Sequence, residues 1–91
     1  MKKYVIEREI PGVDKLSPDE LKGASAASNA ALAQLEPRVQ WVESFVTKDK
    51  TFCVYMAEDE AVIREHARLS GFPANKITEV ATMISPATAS A

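Results

Sequence analysis

Two β-prone runs held apart by three charged residues constrain this chain more than any other feature. Val39 to Thr47 and Thr51 to Ala57 are rich in β-branched and aromatic side chains, and Lys48-Asp49-Lys50 lies between them. Such a pair reads as an antiparallel hairpin. A lone hairpin is marginal in water and needs further strands, or a helix packed on one face. The flanking sequence supplies both.

Tyr4-Val5-Ile6-Glu7-Arg8-Glu9 is β-prone and stops at the turn signal Pro11-Gly12. Ser17-Pro18-Asp19-Glu20 starts a helix. Ser17 caps, Pro18 suits the first helical position, and Glu20 completes a capping box. Leu21, Ala24, Ser28, Leu32 and Leu35 then recur at helical spacing, and Pro37 closes the segment. Ala and Ser dominate that stripe, so the helix is expected to approach its sheet closely.

Asp59 caps a second helix, and Glu60 and Arg64 pair along its surface. Val62, Ile63, His66, Ala67 and Ser70 fall on its inward side. Gly71 suits the left-handed C-terminal position, and Pro73 follows. Lys76 to Ile84 reads as the last strand. The order β-α-β-β-α-β is the ferredoxin-like α+β arrangement, a four-stranded antiparallel sheet with two helices on one face. A length of 91 residues leaves no room for a second core. Residues 1–85 are expected to form one domain, and 86–91 a flexible tail of small residues.

The hairpin register decides what each sheet face carries. A hairpin centred on Asp49 sets Phe45 opposite Cys53 and Glu43 opposite Tyr55. Val42, Val46, Phe52, Val54 and Met56 then share an apolar face, expected to receive the helices. Trp41, Glu43, Phe45, Cys53 and Tyr55 share the other. Three aromatics on one open face make an exposed patch, which the same face of a second subunit is expected to cover.

Composition excludes several classes. Hydrophobic residues make up 46% and charged residues 26%, as in an ordinary globular chain, which sets disorder aside. A net charge of -2, with the basic residues interspersed among acidic ones, argues against nucleic acid as a partner. No apolar run is long enough to span a bilayer, and Met1-Lys2-Lys3 leads into a strand rather than a signal-peptide core. Cys53, the single cysteine, has no internal partner, which fits a reducing cytoplasm as the expected location.

The chain lacks a glycine-rich phosphate loop, a Cys-x-x-Cys pair, a nucleophile elbow and a His-Glu-x-x-His helix. His66 is either a metal ligand or a helix histidine hydrogen-bonded to a nearby carbonyl. Cys53 is either a thiolate ligand or nucleophile, or a small buried hydrophobe. Glu7 and Glu43 share a face with Cys53 and Tyr55 in this register. Carboxylates among aromatics need a partner, water or a cation, unless the face is simply open.

Several segments resemble one small bacterial ferredoxin-like family with a nickel-binding member. They are Tyr4-Val5-Ile6-Glu7-Arg8, Trp41 with Ser44 and Val46-Thr47, Asp49-Lys50, and Cys53-Val54-Tyr55. Ile63-Arg64-Glu65-His66-Ala67 and Gly71-Phe72-Pro73-Ala74-Asn75 complete the likeness, which runs from Tyr4 to about Pro86. The resemblance implies a homodimer with its sheets packed into a barrel, binding nickel(II) or a similar divalent metal without enzymatic activity. The donors are read from this sequence alone. His66 is combined with Glu7 or Glu43 across the dimer, and Cys53 and Tyr55 stand as further candidates, all being groups that nickel accepts or that lie beside them. The alternative is a small-molecule binder, or an isomerase- or monooxygenase-like enzyme, using a cavity inside the dimeric barrel.

Overall fold

The structure, a computed structural model, describes residues 1–90. Its elements run β1 (Lys2–Glu9), α1 (Pro18–Ala33), β2 (Val39–Val46), β3 (Lys50–Ala57), α2 (Glu60–Ser70) and β4 (Lys76–Glu79). Short 3-10 turns at Val13–Lys15 and Pro86–Ser90 complete the chain. The last residue of the expected tail, Ala91, lies outside the described residues. The sheet order is β2-β3-β1-β4 with every neighbouring pair antiparallel, the ferredoxin-like α+β arrangement. No helix among the described residues is long and apolar enough to cross a membrane.

The helix boundaries follow from the caps. Ser17 Oγ accepts the Glu20 backbone N–H at 3.1 Å, and Glu20 Oε1 accepts that of Ser17 at 3.0 Å. This reciprocal pair satisfies two donors that a helix start otherwise leaves open. Asp59 caps α2 by a single bond, its Oδ1 accepting the Val62 N–H at 3.0 Å, and Gly71, at φ 79, ends the helix in the left-handed region. β4 is shorter than expected and stops at Glu79, although the Val80 N–H still bonds to the Lys3 carbonyl at 2.8 Å.

The hairpin register differs from the expected one. Phe45 pairs with Phe52 and Ser44 with Cys53, one residue away from the pairing centred on Asp49. The turn explains the shift. The Thr47 N–H and Oγ1 both donate to the Lys50 carbonyl, at 2.8 and 2.9 Å, closing the loop over Lys48 and Asp49 alone. Asp49 is meanwhile drawn toward the end of β1, where its carbonyl accepts the Ile10 N–H and its carboxylate the Gly12 N–H. A second irregularity, between Trp41 and Glu43, sets Trp41 opposite Tyr55 and leaves Val42 52% exposed.

The two sheet faces therefore exchange roles. Thr51, Cys53, Tyr55 and Ala57 of β3 are buried, as are Tyr4, Ile6 and Arg8 of β1, and α2 presents Val62, Ile63 and His66 to the same core. Trp41 packs against that core. The face expected to receive the helices is instead the open one. It carries Val5, Phe52, Val54 and Met56, all half-buried, and exposed Phe45. Of the five residues assigned to the spare face, only Glu43 and Phe45 remain on it.

Candidate functional site

The five candidate metal ligands divide between the two sides of the sheet. Glu7 and Glu43 lie on the open face, opposite Phe52 and Val54 in the strand register. His66, Cys53 and Tyr55 lie beneath the helices. Glu7 is already compensated, with Lys50 Nζ at 3.7 Å and Lys76 Nζ at 4.0 Å. Glu43 takes part in none of the ion pairs among the described residues.

On the helix side the sheet meets α2 through rings. Tyr55 and His66 meet in a tilted ring contact, 5.3 Å between centroids with their planes inclined by 53°. His66 Nε2 lies 3.4 Å from the Ser28 carbonyl and 3.2 Å from Ser28 Oγ, which ties α2 to α1. Donation to the carbonyl puts the proton on Nε2 and leaves Nδ1 a bare acceptor, buried and without a partner. Burial pushes the His66 pKa down, and the Arg8 charge adds to the effect, while the Ser28 carbonyl works against it. The imidazole is therefore neutral near neutral pH.

Arg8 is the residue that sequence reasoning did not single out. It is 2% exposed, and its Nη1 donates to the Pro73 carbonyl at 2.8 Å and the Phe72 carbonyl at 3.5 Å. Its Nη2 is buried with no partner, and no carboxylate among the described residues lies within ion-pair distance. The guanidinium carbon sits 5.9 Å from the Tyr55 ring centre, so the ring supplies part of the missing negative potential. Burial pushes the Tyr55 pKa up, and Arg8 opposes that rise. The signal was present in β1, where Arg8 occupies the same alternation phase as Tyr4 and Ile6. A charge on the apolar phase of a strand is unusual enough to mark a site.

A cavity of about 350 Å³ opens between α1 and the sheet, and Arg8, Ser25, Ser28, Trp41, Cys53 and Tyr55 are among its walls. The Ala and Ser stripe of α1 was expected to bring the helix close to the sheet. Instead Ala24, Ser25 and Ser28 line this space. Small side chains permit either close approach or a void, and here they leave the void.

These donors do not fit a metal centre built within one chain. Among the described residues no group of three or more His, Cys, Asp or Glu side chains comes together.

Fold and site together define a small ferredoxin-like α+β protein with an uncompensated cation beneath its helices. The chain belongs to a family described as "Nickel responsive protein SCO4226-like", whose sequence profile matches residues 4–80. The crystal structure of SCO4226 from Streptomyces coelicolor A3(2) is similar, with a TM-score of 0.71 and 21% identity. The alignment covers 90% of this chain and 99% of that one, and at this identity it establishes the fold. Among curated proteins none matches the chain.

Proposed function

We propose that this protein binds nickel(II) in a non-catalytic role, as a homodimer joined through the open sheet face, with Glu43 and Glu7 as carboxylate donors. The observation that carries this reading is membership, over residues 4–80, of a family described as nickel responsive. The open face supports the dimer. Phe45 is 54% exposed beside Phe52, Val54 and Met56, an apolar surface that a second copy would cover. Pairing that face takes Glu43 out of water without a cation of its own, and a divalent ion offsets that cost. Carboxylates alone select poorly for nickel, so an imidazole is the natural further donor. His66 is neutral, as a ligand must be, but its Nε2 is committed to Ser28. The unpaired Cys53 is in keeping with a cytoplasmic setting.

The test is a calorimetric titration with nickel(II) at neutral pH, alongside molar mass by light scattering. A dimer that binds nickel stoichiometrically, and loses most of its affinity in Glu43→Gln, is the expected result. No binding at millimolar nickel overturns the function. Binding retained in Glu43→Gln but lost in a folded His66→Gln moves the site beneath the helices.

A further inference from the structure

The cavity beneath α1 has the chemistry of a binding site, independently of any metal. Its walls come from three strands and a helix: Arg8 from β1, Val13 from the turn after it, Leu21 and Ser25 from α1, Trp41 from β2 and Tyr55 from β3. Most of that lining is apolar. One wall carries a full positive charge that the protein itself does not neutralise.

That charge is the informative part. A buried guanidinium normally faces a carboxylate, because leaving water costs several kcal/mol per ion and carbonyl dipoles recover only part of it. Arg8 has two carbonyls, both reached from Nη1, and the face of Tyr55. The donors of Nη2 are unused. The planar fork of arginine takes a carboxylate or a phosphate in the same two-point way, and a single cation matches the single charge of a carboxylate better than the higher charge of a phosphate. The remaining lining has no second cation, so the ligand carries one negative charge. At about 350 Å³ the cavity falls at the small end of the range that takes small organic ligands, so the molecule is compact.

We propose that this cavity binds a small amphipathic monocarboxylate, aromatic or medium-chain aliphatic, with its carboxylate on Arg8 and its apolar body along Val13, Leu21 and Trp41. The site lies within one chain, on the opposite side of the sheet from Glu7 and Glu43. Binding therefore requires neither nickel nor a dimer. Ser25 and Ser28 offer hydroxyls along the α1 wall, and Gly71, Phe72 and Pro73 border the end nearest Arg8.

Calorimetry on the full chain, in buffer containing EDTA, tests this with phenylacetate and octanoate as probes. Phenylacetamide and octanamide serve as uncharged matches, acetate as the headgroup alone and phosphate as a generic anion. Both long acids are expected to bind at least about tenfold more tightly than their amides, since hydrogen bonds to a charged partner differ by that much from neutral ones. Acetate and phosphate are expected to bind far more weakly. Arg8→Gln removes the preference for acid over amide. Ser25→Phe fills the cavity and abolishes binding of both acids while retaining the native circular dichroism. The proposal is overturned if neither acid binds the native chain at millimolar concentration, if acids and amides bind equally, or if a folded Ser25→Phe variant binds as the native chain does.

Discussion

Arg8 and Tyr55 face each other across the inner surface of the sheet, guanidinium carbon to ring centre 5.9 Å, and the charge has no carboxylate partner among the described residues. An arginine so placed contributes little to stability. Its desolvation is only partly compensated, and an apolar side chain of similar volume avoids that cost. Arg8→Met is expected to change urea stability by no more than about 1 kcal/mol, the lost bond to the Pro73 carbonyl offsetting the relief. Arg8→Ala additionally opens a void and is expected to cost about 2 to 4 kcal/mol. If Arg8→Met proves as costly as Arg8→Ala, the residue is structural and its charge is not idle.

His66 makes the fold sensitive to mild acid. Its folded pKa is below the ordinary value of 6.5 because burial and the Arg8 charge disfavour the imidazolium. The sign follows directly. Above 6.5 the imidazole is neutral in both states and stability is independent of this group. As pH falls below 6.5 the unfolded chain takes up a proton that the folded chain refuses, so stability declines until the folded pKa is passed. Urea unfolding between about pH 7.5 and 5 is expected to show that slope, and His66→Gln to flatten it. An unchanged slope in a folded His66→Gln variant assigns the effect to another group.

The order of elements and both helix starts were legible because they depend on local chemistry. The capping box of Ser17 and Glu20, the Asp59 cap and the Gly71 terminus are each set by residues within a few positions. The faces of the hairpin were not legible, for a physical reason. Phe52, Val54 and Met56 alternate with Cys53 and Tyr55, and both sets are apolar enough to be buried. Period-two patterning then gives the alternation without saying which phase the helices cover. Tertiary partners decide it: His66 on Tyr55, Ser28 on His66, and Asp49 held at the end of β1. Grouping Cys53 and Tyr55 with Glu43 failed for the same reason. Arg8 was more accessible, since it stands on the phase of Tyr4 and Ile6, but its lack of a partner emerges only in three dimensions.

The α1 cap is expected to matter beyond its size. Ser17→Ala removes one half of the capping box and should cost about 1 kcal/mol in urea unfolding. Helix α1 forms one wall of the cavity through Leu21, Ala24, Ser25 and Ser28, so loosening its first turn also loosens that wall. Amide exchange around Leu21 and Ala24 is expected to rise in Ser17→Ala while β1 and β3 keep their protection. Uniform loss of protection across the sheet would show that the first turn is not a separable unit.

Phe45 separates assembly from folding. It stands 54% exposed on the open face of edge strand β2, so it buries little within its own chain. Phe45→Lys is therefore expected to leave the circular dichroism of the folded chain intact. If the open face joins two copies, the same substitution places an ammonium at the centre of an apolar contact and should convert a dimer to a monomer in light scattering. Nickel affinity should fall with it, because donors from the two copies are then separated. Carboxylate binding beneath α1 should persist, since Arg8 lies on the other side of the sheet. A Phe45→Lys chain that remains dimeric and binds nickel undiminished would place the interface elsewhere, with its donors away from Glu43.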